Sequence, residues 1–329
     1  TTTALSQTGR NLLYKLMRKM ADEGGSVMFI SHDLDEMMEH CDAVTVLRDG
    51  NIIGSLDKEE FDGNKMKEMM VGREVSGNYY RNDNDSYEDE ITLKAHCITT
   101  RKDLLCFNLE LHKGEVLGIG GLSECGMHTV GKALFGYEKI LDGKVTVGAK
   151  QTVVKNPETA IANGIAYTSK DRDHESLGLA GSIRDNIAST GYYFNRIFGP
   201  IISFGKEKKF VQNQIDTLEL KCASQYHSVN TLSGGNKQKV VFGKWIGSEA
   251  DVLILDCPTR GIDIGVKASM YQLIYKMKKQ GKSIILISEE LPELIGMSDR
   301  ILIMKDGKIV HEAMRSENPT EHDLINYMI

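Results

Sequence analysis

The nine residues from Leu232 to Val240 constrain the fold of this chain more than any other stretch. A serine and two adjacent glycines, Ser233-Gly234-Gly235, precede a run of polar residues that favours a helix. Because glycine has no side chain, the first amides of this helix stay accessible, and with the positive end of the helix dipole they form an anion site. Taken alone, the turn also suits an ordinary helix start, since Ser and Gly begin many helices.

A second element begins at Val252. The run Val252–Asp256 places four apolar residues before an acid, which predicts a buried parallel strand that ends in a carboxylate. In a phosphate-binding fold such a carboxylate holds Mg²⁺. Together the two elements resemble the signature motif and Walker B strand of ABC-transporter ATPases. The ending Asn236–Lys239 resembles the sugar-importer branch, in which one chain carries two ATPase domains.

The resemblance implies an α/β fold of the P-loop NTPase type, with an antiparallel β subdomain and an inserted α-helical subdomain. Composition is compatible with it, because 329 residues suffice for two domains or one large one. No apolar run approaches the roughly 18 residues of a membrane span, and the net charge of −6 argues against a general nucleic-acid surface. The six scattered cysteines, without a C-x-x-C pair, indicate reduced thiols in a cytosolic setting.

An internal repeat with a constant offset of 257 residues organises the chain. Ser31-His32-Asp33 and Ser288-Glu289-Glu290 each follow an apolar run, and Asp49-Gly50 is matched by Asp306-Gly307. Long repeats of this kind indicate duplicated domains. By this offset the chain begins just after the acidic pair that would end a first Walker B strand, so we expect a fragment of a longer parent.

The repeat predicts four segments. Residues 1–75 are the end of a first ATPase domain, 76–90 an acidic solvated linker, 91–315 a second ATPase domain, and 316–329 a C-terminal helix. Within the first segment the pattern predicts an amphipathic helix over Gly9–Ala21 and a strand over Val27–Ile30. The strand would present His32, which resembles the switch histidine of ABC ATPases, although a histidine after a strand is as often structural.

A glycine loop follows a predicted strand near residues 115–120. Compared with the Walker A pattern G-x-x-x-x-G-K-[ST], the outer glycines remain as Gly121 and Gly126, but the lysine is Met127 and the hydroxyl residue is His128. Glu124 stands where the family has a middle glycine. At ~4 Å two like charges repel by about 4 kcal/mol at an effective dielectric of 20. The loop therefore predicts weak ATP binding.

The other parts of this second site depart from the family in the same direction. Lys170 occupies the Q-loop position, Cys257 the position of the general base, and Glu289 the switch position. A catalytic role for Cys257 is the sharper alternative, but the motif places no histidine beside it. By resemblance, Asp256 is the Walker B residue, associated with Mg²⁺, and Asp263 belongs to the D-loop.

The resemblance also implies how the site residues are used. ATP and Mg²⁺ are the cofactors, and each ATP lies between the Walker A loop of one ATPase domain and the signature of another, on the same or a second chain. The competent site would use the switch residue His32 and the signature of this chain, which consists of Ser233, Gly234, Gly235, Asn236 and Gln238. The degenerate site would comprise Gly121, Gly126, Met127, His128, Lys170, Asp256, Cys257 and Glu289.

The family further implies a peripheral position on the cytoplasmic face of the membrane. Residues 182–224 resemble the helical subdomain that contacts integral membrane permease subunits and, through them, a solute-binding protein for a monosaccharide or similar solute. The aromatic cluster Tyr192-Tyr193-Phe194 suits either a partner contact or a core. Two other functions stay open: a pseudo-ATPase scaffold or regulator, and a soluble two-domain ATPase of the translation-factor type, although the latter should have a long basic linker.

Overall fold

A computed structural model describes residues 7–31, 34–48, 50–71, 80–84, 86–194, 203–247 and 250–329. The strands are β1 Ala43–Arg48, β2 Asn51–Asp57, β3 Glu88–Thr99, β4 Phe107–Lys113, β5 Val116–Gly121, β6 Asp142–Val147, β7 Thr152–Val153, β8 Ile165–Thr168, β9 Val252–Asp256, β10 Ser283–Ile287, β11 Arg300–Lys305 and β12 Lys308–Met314. The α-helices are α1 Gln7–Asp22, α2 Leu34–His40, α3 Gly63–Val71, α4 Met127–Leu134, α5 Pro157–Ala162, α6 Ile183–Phe194, α7 Phe204–Thr217, α8 Gly234–Ile246, α9 Ile264–Lys279, α10 Leu291–Met297 and α11 Glu321–Met328.

The chain divides into two units. One contains Thr1–Tyr79 with Gly261–Ser269, and the other contains Tyr80–Arg260 with Met270–Ile329. The predicted boundaries at 75, 90 and 315 remain predictions. No helix in the described part of the chain combines the length and the apolar character needed to span a bilayer.

The larger unit is built around a six-stranded sheet in the order β12-β11-β5-β10-β9-β8. Strand β10 pairs in parallel with both β5 and β9, and only the edge strand β12 runs antiparallel. All residues of β5, β9 and β10 are buried, as uninterrupted apolar sequences require in a parallel sheet with both faces covered. The prediction of a buried parallel strand over Val252–Asp256 is confirmed, and the sheet brings its final carboxylate to the edge where α4 begins.

Two further layers complete this unit. Strands β4-β3-β6-β7 form an antiparallel sheet, which is the predicted antiparallel subdomain. Helices α6 and α7 lie between β8 and α8 in the sequence, as predicted for the inserted helical part, and Ile183, Ile187 and Val211 are fully buried in its core. The closing helix predicted near the C-terminus is α11.

The smaller unit confirms part of its prediction and corrects another. The amphipathic helix is α1, and β1 and β2 pair as antiparallel strands. Val27–Ile30, predicted to be a strand, has no strand structure, and Met28 and Ile30 are 92% and 78% exposed. A strand needs neighbours for its backbone groups. The counterpart β10 has one on each side, whereas the described residues of this unit form only the two-stranded sheet β1-β2.

The segment predicted as a solvated linker is partly held by the larger unit. The Arg81 side chain is fully buried and donates to Asp299 Oδ1 at 2.5 Å. Arg315 donates to the carbonyls of Arg81 and Asp83. Residues Glu88–Glu90 already belong to β3. Since a buried guanidinium is stable only when paired, Arg81 is an anchor and not a solvated residue.

The cysteines also differ from expectation in one pair. Cys97 lies on β3 and Cys106 directly before β4, and the two form a disulfide with their Cα atoms 3.8 Å apart. Their sequence positions show no pairing motif, and only the antiparallel alignment of the strands brings them together. Cys41, Cys125, Cys222 and Cys257 are free, as predicted.

Candidate nucleotide sites

The predicted signature forms the start of helix α8. Ser233 is its N-cap, and its hydroxyl accepts from the Asn236 amide at 3.5 Å. The Asn236 side chain donates to Ser233 Oγ at 3.0 Å and accepts from the Lys221 amide at 3.1 Å. Ser233 is exposed, whereas Gln238 is 3% exposed and lies in the helix body. The helix N-terminus is thus fixed from within and remains open at its tip, which suits an anion.

Helix α8 is also tied to the segment after the predicted Q-loop. Lys237 Nζ lies 3.0 Å from Asp173 Oδ2, with the lysine side chain 12% exposed. Lys244, further along the helix, donates to the Ser176 carbonyl at 2.6 Å. Because both cations are partly or wholly withdrawn from water, these contacts are worth more than a surface ion pair. The residues after Lys170 and the signature helix therefore form one connected structure.

The predicted Walker A loop keeps its backbone but not its chemistry. A Cβ at Gly121 would lie 2.4 Å from Cys125 Sγ and 2.5 Å from the Met304 carbonyl oxygen, so only glycine fits. Gly126 has φ +95° and is the N-cap of α4. Met127, at the lysine position, has no exposed surface and packs into the core. Glu124 is exposed.

His128 and Lys170 fill the space between the acids of this site. His128 Nδ1 lies 2.7 Å from Asp256 Oδ1, and Tyr167 donates to the other oxygen, Oδ2, at 3.3 Å. Lys170 Nζ lies 2.6 Å from Glu289 Oε1 and 3.0 Å from His128 Nε2. Asp256 has no exposed surface. Four of the predicted site residues therefore form one continuous network of hydrogen bonds and ion pairs.

The pKa values of this network reflect its pairing. For Glu289 the hydrogen bond with His128 is the largest influence, and with Lys170 and Ser123 it outweighs burial and holds the pKa well below its ordinary value. Burial lowers the pKa of His128, but Asp256 and Glu289 outweigh it, and the net shift is upward. Glu289 is thus stabilised as an anion and the imidazole as a cation.

Cys257 occupies the general-base position in an unusual backbone conformation, with φ +48°. It is 7% exposed, and burial, together with the charges of Asp256 and Glu289, raises its pKa far above the ordinary value. A protonated thiol does not orient water as a carboxylate does. The sequence motif places no histidine beside Cys257, but the fold does, because His128, Asp256 and Cys257 present ligand atoms within 4.8 Å of one another. That histidine, however, is already bonded to Asp256.

The residues of this site are not suited to binding Mg²⁺ together with a nucleoside triphosphate. Mg²⁺ requires oxygen ligands, whereas the donors beside Asp256 are an imidazole and a thiol. Met127 supplies no charge for the phosphates. The Mg²⁺ assignment for Asp256 therefore disagrees with its surroundings.

Two other residues, His32 and Asp263, were predicted from the sequence as parts of a nucleotide site. His32 is outside the described residues. Asp263 Oδ1 accepts from the Val266 amide at 3.0 Å and thus caps helix α9; a role toward nucleotide stays a prediction for both. Sequence reasoning missed Tyr167 and Ser123, which donate to Asp256 and Glu289. The available signal in the sequence was the charge pattern of this site. It adds two cationic groups, His128 and Lys170, to the two acids Asp256 and Glu289.

Comparison with known proteins agrees with this geometry. A family model described as ABC transporter matches residues 104–260. The chain is 35% identical over 308 residues to the ribose import ATP-binding protein RbsA of Bacillus cereus, covering 94% of this chain and 62% of that protein. It is 36% identical over 327 residues to the RbsA of Halalkalibacterium halodurans, covering 99% and 64%. The chain thus spans less than two thirds of the length of these relatives.

Solved structures show the same fold. The dimeric ATP-binding cassette MJ0796 in a post-hydrolysis state, bound to ADP and Pi, matches with a TM-score of 0.60 and 19% identity, over 68% of this chain and 98% of that one. A nucleotide-free ATP-binding cassette from an ABC transporter matches with a TM-score of 0.57 and 21% identity, over 72% and 95%. The fold is that of an ATP-binding cassette. Residues 104–260 form a domain of the ABC transporter family.

Proposed function

We propose that this chain is part of the ATP-hydrolysing subunit of an importer for ribose or a similar small solute, and that it supplies the signature motif to an ATP held elsewhere. One observation carries this: the N-terminus of α8 is open and capped by Ser233, whereas the loop before α4 has a buried Met127 in place of its lysine. The RbsA relatives support import of ribose.

The division of labour follows from electrostatics. The amides of Gly234 and Gly235, at the positive end of the helix dipole, face a γ-phosphate held by the Walker A loop of another ATPase domain and stabilise its charge. Mg²⁺ at that site neutralises phosphate charge. The eroded site, with Asp256 bonded to His128, serves structure and not turnover.

The remaining parts of the proposal concern partners and place. The helical part around α6 and α7 contacts a membrane permease, which works with a solute-binding protein, and the subunit lies at the cytoplasmic face. Tyr192, partly exposed and hydrogen-bonded to Glu207 at 3.0 Å, lies on this part. The scaffold and translation-factor alternatives gain no support from the relatives.

The test is Gly234→Asp in the complete gene product, reconstituted with its permease. An aspartate at the first residue of α8 places a negative charge against the γ-phosphate, and we expect ATP-driven uptake to fall by about 100-fold or more. The matched control is Gly63→Asp, also at the first residue of a helix, where a Cβ meets only Met38 Sδ at an ordinary 3.6 Å. Equal uptake by the two variants would contradict the proposal.

A further inference from the structure

A mixed set of potential metal ligands lies at the eroded site. His128 stands at the start of α4, Asp256 ends β9, and Cys257 follows it. Their ligand atoms all lie within 4.8 Å of one another. The Asp256 side chain is fully buried, Cys257 is 7% exposed, and the His128 side chain is 18% exposed. The three donors are held by the start of α4 and the end of β9, which are both buried, so the cluster is more rigid than a group of surface residues.

The donor types indicate which ion would suit this place. Imidazole nitrogen and thiolate sulfur are ligands of zinc and related transition metals, whereas Mg²⁺ takes oxygen in octahedral geometry. We propose that His128, Asp256 and Cys257 bind a divalent ion of the zinc class. In the family pattern, the residues that bind Mg²⁺ stand at this position. This site goes beyond the proposed function, because it requires no nucleotide.

The distances allow this binding after a small adjustment. Bonds from zinc to nitrogen and oxygen are about 2.0–2.2 Å, and those to sulfur about 2.3 Å, so tetrahedral ligands lie roughly 3.3–3.8 Å apart. His128 Nδ1 and Asp256 Oδ1 are 2.7 Å apart and must separate by roughly half an ångström or more. The ion replaces the proton between these two atoms, and that proton is released to solvent. Because the His128 side chain retains some exposure, the imidazole can make this movement.

Charge and proton balance support the same arrangement. The thiol of Cys257 loses its proton to solvent when the sulfur–metal bond forms. Thiolate and carboxylate then neutralise the two positive charges of the ion, so the buried site carries no net charge. The imidazole binds through Nδ1 and keeps one proton, which resides on Nε2.

The residues behind the ligands are placed to orient them. Glu289 Oε1 lies 3.5 Å from His128 Nε2 and can accept the proton that remains there. Carboxylate–histidine–metal arrangements of this kind fix the ring and raise its basicity. Lys170 gives up its contact with Nε2 but keeps its ion pair with Glu289 at 2.6 Å. Tyr167 holds the second oxygen of Asp256, which leaves Oδ1 for the ion.

The experiment uses the purified chain, with Co²⁺ as the spectroscopic probe and Zn²⁺ as its competitor, in excess Mg²⁺ and without nucleotide. We expect one Co²⁺ per chain, a sulfur-to-cobalt charge-transfer band, and displacement by Zn²⁺ but not by Mg²⁺. Cys257→Ser should remove the band and weaken Zn²⁺ binding by about 100-fold or more, and Glu289→Gln should weaken it by about 10- to 100-fold.

The controls separate this site from other thiols. Cys222→Ser and the double variant Cys97→Ser/Cys106→Ser change cysteines outside the cluster and should leave band and affinity unchanged. His128→Gln keeps the thiol and provides a second test if Cys257→Ser does not fold. A band that survives Cys257→Ser or His128→Gln, a folded native chain without the band, or displacement by Mg²⁺ would each overturn the proposal.

Discussion

Two helices of the larger unit, α4 and α8, have a glycine at their N-terminus, and the chemistry of the two N-termini differs. At α8 the cap Ser233 is exposed and the first helical residue, Gly234, is partly exposed, whereas Gly235 is buried. At α4 the cap is Gly126, but the next two residues are the buried Met127 and the half-buried His128, which is bonded to Asp256. Both N-termini have the same backbone feature, a glycine at the start of the helix. The side chains around it decide whether an anion can approach.

The difference is electrostatic as well as steric. The α4 start faces Asp256 and Glu289, whose charges are balanced by His128 and Lys170 within the protein. Adding phosphates there would break these pairs and bring like charges together. The α8 cap is the uncharged hydroxyl of Ser233, so the helix dipole remains available to a ligand. This contrast predicts one working and one silent nucleotide position.

The largest expected effect is the absence of turnover from this chain alone. Its one Walker A loop lacks the lysine, and we expect hydrolysis of Mg-ATP well below about 1 s⁻¹, near the low end of ordinary enzymes. Phosphate release from the purified chain measures this rate. Turnover near that rate would contradict the contrast between the two helix starts.

We also expect this chain to bind ATP in the high micromolar range or more weakly, which calorimetric titration measures. Submicromolar binding would contradict the same contrast.

The next effect concerns the working position. His32→Ala, made in the complete gene product, should lower ATP turnover by about 10²-fold or more, because a positioned group at the γ-phosphate is lost. His322→Ala is the control, since that residue is exposed on α11 and the hydrogen bond from Asn326 uses its backbone carbonyl. Similar rates for both variants would show that His32 is a structural histidine.

A smaller effect is expected from rebuilding the silent position. Met127→Lys with His128→Thr restores the cation and the hydroxyl of the Walker A pattern. It also removes the imidazole from Asp256. We expect the dissociation constant for Mg-ATP, measured by calorimetry on the isolated chain, to fall by about tenfold or more. Met127→Leu with His128→Thr is the control, because leucine conserves volume without charge. If both double variants bind ATP alike, the lysine position does not limit affinity.

The smallest effect is expected from Cys257→Ala. Cys257 is buried at the eroded site, where little catalysis remains, so its removal should change ATP-driven uptake by the complete gene product only a few-fold. The same assay with Gly234→Asp sets the scale. If Cys257→Ala disabled uptake as severely, the division into working and silent positions would be wrong, and the thiol would need a direct role in turnover.

Local sequence was sufficient wherever one segment carries its own structural signal. Four apolar residues before Asp256 predict a buried parallel strand because only a covered sheet accommodates them. Ser233 followed by two glycines predicts a helix start because the cap and the first amides are determined within one turn. The closing helix was predicted in the same way, whereas the antiparallel and helical parts were predicted from the family resemblance.

Tertiary structure decided everything that depends on distant neighbours. His128 and Cys257 are far apart in sequence, and only the parallel alignment of β5 with β10 and of β10 with β9 brings the start of α4 to the end of β9. Arg81 reads as part of a polar linker but is buried against Asp299. Val27–Ile30 has the same apolar pattern as β10 but lacks strand structure. A sequence pattern states what a segment can bury or bond, whereas the partners that satisfy it come from other parts of the fold.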